Sequence, residues 1–370
     1  MSIYIDYHVI QTVPPANINR DEDGSPKSTT FGGTRRARVS SQAWKRAIRR
    51  DFADHLDVSE LGVRSLRLVA DIAQRITERT PEITGDAADD LAAAALKAAG
   101  IKTEKSQPRK DSEVVYTKTG ALLFLGNPQI DELARLAADA PDGKIAAADA
   151  KNVLARGHSI DLALFGRMIA DSPDLKVDAA AQVAHAIGVH PLVSEFDYFT
   201  AVDDRQDDDN AGAGMIGTVE FNASTLYRYA TVNVSALHET LGSGEATARG
   251  VEAFTRSFIT SMPTGKQNTF ANRTLPDFVL VSVRDDQPIN LASAFEDAIE
   301  TPGNRARAAA ELLLQRAVDT DTAYGLTPIL SLVVGTPGFP TNTDYAAAVN
   351  LPDLIERVTS DACARVGESS

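Results

Sequence analysis

The chain has 370 residues, with 37 Lys and Arg against 51 Asp and Glu, so its formal net charge is −14. Hydrophobic residues make up 43%, enough for one large core with insertions or for two domains. No signal peptide is recognisable, and no apolar run approaches the roughly 18 residues of a membrane span. The single cysteine, Cys363, excludes an internal disulfide and a cysteine-based zinc site. We therefore expect a cytoplasmic protein with no membrane partner.

The N-terminal region predicts a strand, a long polar loop and a helix. Residues 3–13 alternate and are rich in β-formers, and residues 34–39 predict a second, short extended piece. From residue 41 to residue 52 the pattern is helical, because Trp44, Ile48 and Phe52 recur every four residues on one face. Ser40 or Ser41 supplies the N-cap.

The middle of the chain, residues 55–184, is Ala-rich with helical periodicity and predicts a helical insertion. Within it, residues 102–118 are polar and predict a mobile loop. Strands return at 195–202 and 218–234, flanking an Asp- and Gly-rich stretch, which predicts a long β-hairpin with a flexible tip. A helix at 245–259, a strand at 278–283 and helices at 305–317 and 352–364 complete the chain.

Without the insertion, the order is strand, helix, strands, helix, strand. This order predicts an α+β fold with a ferredoxin-like, or RNA-recognition-motif-like (RRM-like), sheet formed by residues 1–54 and 185–370. The aromatic signature of base-stacking RRM sheets is absent, so the sequence does not predict that aromatic side chains of the sheet stack on RNA bases.

One basic segment, residues 27–50, stands out against the acidic background. It holds eight Lys or Arg and no Asp or Glu, leaving 29 basic against 51 acidic residues elsewhere. The segment includes Gly32 and Gly33, which would let a phosphate approach the backbone, and the start of the predicted helix, with free N–H groups. It predicts either a phosphate-binding groove or a solvated face whose arginines pair with the surplus carboxylates.

Two acidic clusters raise the alternative of a metal site. In the loop after the first strand, Asp21, Glu22 and Asp23 favour a turn, but a metal-dependent nuclease could place carboxylates there. The predicted hairpin tip carries Asp203, Asp204, Asp207, Asp208 and Asp209 without calcium-loop spacing, which favours a solvated turn.

The remaining polar motifs predict no cofactor. The six histidines form no metal-binding pair on a helix and are interpreted as structural; they are His8, His55, His158, His185, His190 and His238. Gly265-Lys266-Gln267 lacks the upstream glycine and the Ser or Thr of a P-loop. Lys266 and Gln267 could still contact an RNA backbone.

Several motifs in fixed order carry a family resemblance. They are Asn19-Arg20-Asp21, the run Phe-Gly-Gly-Thr-Arg-Arg-Ala-Arg-Val-Ser-Ser-Gln at 31–42, and the segments 161–168, 184–187, 199–204, 227–230 and 265–267. This set spans nearly the whole chain and resembles the CasC (Cse-type) CRISPR-RNA-binding backbone subunits of type I-E CRISPR Cascade complexes.

The resemblance implies a right-hand-like protein with an RRM-like palm, helical fingers at 55–184 and a thumb hairpin at about 200–221. It implies a non-enzymatic subunit in antiviral defence. Copies of it would stack head to tail on one CRISPR RNA, each thumb displacing a nucleotide at a fixed interval. Other Cascade subunits and target DNA, the latter through guide pairing, would be its partners. Because base pairing reads the target, such a subunit must hold any guide sequence by its backbone.

The candidate RNA-binding residues come from the family resemblance and from the sequence patterns described above. Those that match the family's guide contacts are Lys27, Ser40, Gln42, Lys45, Arg46 and Arg49, with Met168 matching the apolar residue that props the kinked guide. The basic segment adds Arg35, Arg36 and Arg38, and the Gly-Lys-Gln motif adds Lys266 and Gln267. A metal-dependent RNase using Asp21 or Asp23, as in the backbone subunits of type III complexes, is the alternative. The fingers offer only scattered cations, such as Arg135, Lys144 and Lys151, so direct contact with duplex DNA is not expected.

Overall fold

The computed structural model describes residues 2–108, 115–140, 142–169, 173–201, 215–300 and 303–368. The strands are β1 Tyr4–Ala16, β2 Ser28–Phe31, β3 Thr34–Val39, β4 Gly62–Ser65, β5 Thr103–Lys105, β6 Thr117–Thr119, β7 Leu123–Gly126, β8 Ala181–Val183, β9 Ala186–Gly188, β10 Glu195–Ala201, β11 Met215–Asn233, β12 Phe278–Arg284, β13 Leu330–Gly335 and β14 Ala347–Ala348. The helices are α1 Ser41–Asp51, α2 Leu68–Arg79, α3 Asp86–Ala98, α4 Asn127–Ala138, α5 Ala147–Ala155, α6 Ile160–Phe165, α7 Val234–Leu241, α8 Gly244–Thr260, α9 Gln267–Phe270, α10 Arg305–Tyr324 and α11 Leu351–Glu368. The predicted mixture of helices with a large sheet is confirmed.

The chain divides into two compact units. The first, here the sheet unit, comprises Met1–Asp51, Gln182–Asn233 and Phe254–Ser370. The second, here the helical unit, comprises Phe52–Ala181 and Val234–Ala253. The sequence-based division differs from these units mainly at residues 234–253, which it assigned to the palm and which the structure groups with the helical unit.

A ten-stranded sheet is built around β1. Its order is β14-β13-β12-β1-β11-β9-β3-β2, and β8 and β10 also pair with β11. The central strand β1 is antiparallel to both β11 and β12, with Tyr7 opposite Ala230 on one side and Val281 on the other. The RRM-like identity of this sheet stays a prediction.

Both faces of the central strands are covered. On one face, the Tyr7 hydroxyl lies 2.8 Å from Thr255 Oγ1 of α8, and its ring packs against Phe254 and Phe258. On the other face, Tyr227 and Tyr229 belong to a core that includes Phe295 and residues of α10. Because these two tyrosines are buried, they are not available to stack on a base, in agreement with the missing aromatic signature.

Helix α1 confirms the predicted amphipathic pattern. Trp44, Ile48 and Phe52 are buried, while Gln42 and Arg46 are exposed. The Ser40 hydroxyl accepts a hydrogen bond from the Ala43 N–H at 3.3 Å, so Ser40 is the N-cap. Arg46 and Arg50 therefore lie on the exposed face of this helix, and Lys45 and Arg49 are partly buried beside it.

The predicted hairpin is formed by β10 and β11. The two strands pair antiparallel, from Glu195 opposite Phe221 to Ala201 opposite Met215. On β10, Phe196 and Tyr198 are 68% and 62% exposed, which is unusual for aromatic side chains. The five aspartates of the predicted tip, Asp203, Asp204, Asp207, Asp208 and Asp209, lie outside the described residues.

The helical unit has its own core, formed mainly by α2, α3, α4 and α5. Helices α3 and α4 lie within the predicted helical insertion at 55–184. Two short ladders, β4 with β7 and β5 with β6, were not predicted, and the second lies within the expected loop at 102–118. None of the helices in the described ranges is both long and apolar enough to cross a bilayer.

Candidate nucleic-acid interface

The loop after β1 organises the basic segment. Asn19 accepts a hydrogen bond from the Lys27 N–H through its carbonyl oxygen (2.9 Å) and one from the Ser40 N–H through Oδ1 (2.8 Å). The side-chain amide of Asn17 donates to the carbonyl oxygens of Gly24 and Glu220. These bonds tie the start of β2, the start of α1 and the base of the hairpin to one short stretch of chain.

The glycine pair of the basic segment forms a turn. Gly32 and Gly33 connect β2 to β3 with φ of 56° and 71°, the left-handed values of a two-residue hairpin turn. A Cβ on Gly32 would overlap the carbonyl oxygen of Glu296, whereas a Cβ on Gly33 would meet nothing within 4 Å. The sequence-based explanation of this pair is therefore corrected at Gly32, because its close neighbour is the protein backbone and not a phosphate.

Three cations in the part of the basic segment before α1, Lys27, Arg35 and Arg38, are accessible at least in part and form local polar contacts. Arg35 is exposed, and its Nε donates to Ser28 Oγ at 3.0 Å. The Nε of Arg38 donates to the Ser28 carbonyl oxygen at 3.2 Å. Lys27 forms an ion pair with Asp21. These contacts hold the side chains in place, and they leave guanidinium N–H groups of Arg35 for an external acceptor.

Arg36 does not belong with these residues. It is fully buried, and its guanidinium donates to the carbonyl oxygens of Gly188 (3.1 Å), Phe295 (3.3 Å) and Glu296 (3.0 Å). Burial lowers the pKa of Arg36 from its usual value. The prediction that Arg36 contacts RNA is therefore corrected, because this side chain has no solvent-facing surface and joins segments of the sheet unit.

Helix α1 carries the remaining cations of the basic segment. Arg46 and Arg50 are exposed, and Lys45 and Arg49 are partly buried. Partial burial lowers the pKa of Lys45. Gln42 lies on the exposed side of the first turn, one residue after the partly buried Ser41. Ser40 itself is buried, so its hydroxyl serves the helix as a cap.

The Gly265-Lys266-Gln267 motif lies against the same loop. A Cβ on Gly265 would overlap the Ile18 carbonyl oxygen, so only glycine permits this approach. Lys266 follows with φ of 51°, an uncommon value for a residue with a side chain. The short helix α9 then brings Phe270 to 5.6 Å, between ring centres, from Phe221 at the base of the hairpin.

The remaining predicted contact, Met168, lies in the helical unit and is 81% exposed. Among the described residues, most of its side chain is left accessible to a partner. Around residues 17–19 the structure brings together three segments that carry predicted RNA contacts: Lys27 and Ser40 bond to Asn19, and Gly265 lies against Ile18. The other predicted contacts of the sheet unit lie further along these segments, and they are Arg35, Arg38, Gln42, Lys45, Arg46, Arg49, Lys266 and Gln267.

The acidic cluster at 21–23 forms the expected turn. The Gly24 N–H donates to the Asp21 carbonyl oxygen (3.1 Å), and the Ser25 N–H donates to Asp23 Oδ1 (3.0 Å). The Asp21 carboxylate pairs with Lys27. In the part of the chain that the structure describes, no three His, Cys, Asp or Glu side chains are grouped as a metal site would require.

Sequence reasoning missed two features of this surface. The first is the role of Asn17 and Asn19, whose side chains bind backbone groups distant in sequence, which no local pattern signals. The second is His185, interpreted as structural but exposed and in contact with Arg38. The signal for His185 was its position inside the motif 184–187, which carries part of the family resemblance.

The fold and this surface together define a mixed α/β protein with one cation-rich edge on an acidic chain. The family described as CT1975-like protein matches residues 5–357, and the chain belongs to this family.

Two solved structures resemble the whole chain. One, titled "CRISPR RNA-guided surveillance complex, pre-nicking", is 34% identical with a TM-score of 0.86 and covers 97% of this chain and 100% of that chain. The other, titled "CRISPR RNA-guided surveillance complex", is 31% identical with a TM-score of 0.73 and covers 97% and 99% respectively. A comparison with curated proteins finds no match.

Proposed function

We propose that this chain is a non-catalytic subunit of a CRISPR RNA-guided surveillance complex and that its sheet unit holds the guide RNA by its phosphates. Whole-length similarity to chains of two such complexes supports the assignment to the complex. The observation that carries the RNA-binding role is that Lys27 and Ser40 of the basic segment, and Gly265 next to Lys266, all contact residues 17–19. Without that convergence, the cations would be a solvated surface on an acidic protein.

The chemistry of the surface suits a backbone ligand. Lysine and arginine side chains neutralise phosphates, and this interaction does not depend on base identity. The sheet tyrosines that could read or stack bases, Tyr227 and Tyr229, are buried. A subunit of this kind accepts any guide, while base pairing between guide and target supplies the specificity.

The proposal includes the finer features that the family resemblance implies. The chain is a CasC-like subunit of a type I-E Cascade complex, working in the cytoplasm. The sheet unit is an RRM-like palm, the helical unit supplies the fingers and the β10–β11 hairpin is the thumb. Copies assemble head to tail along one CRISPR RNA beside the other Cascade subunits. Target DNA is reached through pairing with the guide.

The cations of the helical unit support this indirect route to DNA. Arg135 is ion-paired with Glu132 and Asp139, Lys144 with Asp142, and Lys151 with Asp174. Each of these surface pairs is weak in water, but each places a carboxylate beside the cation that a phosphate would have to approach. This unit therefore offers less positive surface than its count of Lys and Arg suggests.

The test is RNA binding by a Lys45→Ala/Arg49→Ala variant. Affinity for a single-stranded RNA should fall, and the slope of log K against log salt should decrease by about 1.4, since each phosphate contact to single strands contributes about 0.7. The control is Lys144→Ala/Lys151→Ala, which removes the same charge from the helical unit. An unchanged slope in the first variant, or equal losses in both, would overturn the proposal.

The nuclease alternative is tested separately. A guide, a complementary RNA and Mg²⁺ are incubated with the protein, and regularly spaced cuts that disappear in Asp21→Ala or Asp23→Ala would show catalysis. The ion pair of Asp21 with Lys27 and the bond from the Ser25 N–H to Asp23 support a structural role for both carboxylates.

A further inference from the structure

His185 lies at the rim of the candidate interface, between β8 and β9. The β3–β9 ladder pairs Arg38 with Ile187 and Val39 with Ala186, which brings His185 beside the end of β3. There, Arg38 Nη1 lies 3.3 Å from His185 Nδ1, and the imidazole is exposed. The buried histidines differ: His190 accepts from the Thr225 N–H through Nε2, and His8 lies 2.9 Å from the Tyr227 hydroxyl.

The contact with Arg38 favours the neutral form of His185 in the RNA-free protein. A guanidinium is only a donor, so a hydrogen bond between the two requires Nδ1 to be the acceptor and the imidazole proton to be on Nε2. Arg38 faces His185 from β3, and on the β11 side the Ala184 N–H donates to the Tyr229 carbonyl oxygen. Partial burial and, second, the charge of Arg38 lower the pKa of His185.

We propose that Arg38 and His185 together bind one phosphate of the RNA backbone and that His185 takes up a proton from solvent when they do. This inference rests on the proposed function. Protonation converts Nδ1 from an acceptor into a donor, so Arg38 and His185 then repel each other unless an anion lies between them. A phosphodiester oxygen accepts from both, and charge-assisted bonds of this kind are stronger than neutral ones.

The linkage has a definite sign. The bound anion raises the pKa of His185 above its value in the free protein, so RNA binding takes up a proton and affinity rises as pH falls. The effect is largest near and below the usual histidine pKa of about 6.5 and cannot exceed tenfold per pH unit for one proton. Asp6, whose pKa burial raises to about 6, titrates in the same range, so the comparison must be made against a His185 variant.

The experiment measures binding of a fluorescent single-stranded RNA at pH 8 and pH 6 at constant ionic strength, for the wild type, His185→Gln and the control His55→Gln. For each protein we compare the ratio of its RNA affinity at pH 6 to its RNA affinity at pH 8. We expect this ratio to be several-fold larger for the wild type and the control than for His185→Gln. Calorimetry in buffers of different ionisation enthalpy should show proton uptake by the wild type that is smaller in His185→Gln.

The possible outcomes separate this inference from the proposed function. If all three proteins bind RNA with the same pH dependence, the role of His185 is overturned and the proposed function stands. If the wild type binds no RNA at either pH, the proposed function fails and this inference fails with it. If millimolar inorganic phosphate alone causes the same proton uptake, the pair binds free phosphate, and its assignment to the RNA backbone is overturned.

Discussion

The guanidinium carbon of Arg228 lies 3.7 Å from the centre of the Trp44 ring. Arg228 is buried in the sheet unit, donating to Gln11 Oε1 (2.5 Å) and to the Phe258 carbonyl oxygen. Burial lowers its pKa to about 9. Through this stacking contact, β11 holds the helix that carries Lys45 and Arg49, so a buried residue determines where the basic face of α1 lies.

Replacing Arg228 with Ala should therefore detach α1 from the sheet. The change opens a cavity and leaves two buried acceptors without donors, which predicts a loss of about 3 kcal/mol in the free energy of unfolding. Trp44 is the single tryptophan of the chain, so its emission spectrum reports this contact directly. Arg228→Met, which fills the space, should cost less. Unchanged emission and stability in Arg228→Ala would show that the stacking does not hold the helix.

Gly32 and Gly33 provide a matched pair of substitutions. Both have positive φ, so Ala at either position is strained by about 1 kcal/mol. At Gly32 the added Cβ would also overlap the Glu296 carbonyl oxygen, whereas at Gly33 it meets nothing. Denaturant unfolding should therefore show Gly32→Ala to be less stable than Gly33→Ala by about 2 kcal/mol or more. Equal losses would mean that the close approach at Gly32 is absent in solution.

Arg35 and Arg36 are adjacent in sequence but should behave differently. Arg35→Gln removes an exposed cation, so the salt slope of RNA binding should fall by about 0.7 with little change in stability. Arg36→Gln leaves the carbonyl oxygens of Gly188, Phe295 and Glu296 without their donor and should cost about 3 kcal/mol of stability. Its salt slope, measured below the unfolding transition, should match that of the wild type. The reverse pattern would contradict the structural role given to Arg36.

Under the proposed function, Asp21 competes with RNA for Lys27, because the two side chains form an ion pair. Removing the carboxylate with Asp21→Asn should free the ammonium group and increase RNA affinity by about two- to threefold, in keeping with the small free energy of a partly exposed ion pair. Asp23→Asn, which changes the same charge without touching Lys27, is the control. A loss of affinity in Asp21→Asn would indicate that the pair positions Lys27 for binding.

His8 and Asp6 lie on the same face of β1 and give stability opposite dependences on pH. Burial lowers the pKa of His8 to about 3. The unfolded chain therefore binds the proton more readily, and stability is lost as pH falls below about 6.5. Burial raises the pKa of Asp6 to about 6, so the folded state keeps this proton and stability is gained as pH falls through about 6.

From pH 7 to pH 5, His8 should lower the free energy of unfolding by about 2 kcal/mol, and Asp6 should raise it by about 1 kcal/mol. His8→Gln should thus lose less stability than the wild type over this interval, and Asp6→Asn should lose more. Urea unfolding at both pH values measures the two differences. Parallel curves for all three proteins would show that neither group is perturbed in the folded state.

Periodicity predicted the elements that bury one clear face. Trp44, Ile48 and Phe52 defined α1, and the alternation at 278–283 matched β12. The ladders β4–β7 and β5–β6 were missed because short strands inside an Ala-rich helical region have no period long enough to detect. Strand length and bounds also shifted, since β1 continues through an irregularity after Val13 to Ala16.

The candidate site was predictable as a charged segment but not residue by residue. Composition located the cations of residues 27–50, yet it could not separate Arg36 from Arg35. The guanidinium of Arg36 donates to carbonyl oxygens of Gly188, Phe295 and Glu296, which are far away in sequence. The pairing of Lys27 with Asp21 and the contact between Arg38 and His185 likewise depend on how distant strands meet.

Strand β11 runs without interruption from the hairpin into the centre of the sheet. Its first part, Met215 to Phe221, pairs with β10, and from Asn222 to Asn233 it pairs with β1. The hairpin and the strand that carries Arg228 are therefore one continuous strand, so a displacement of the hairpin is transmitted directly to the β1–β11 ladder.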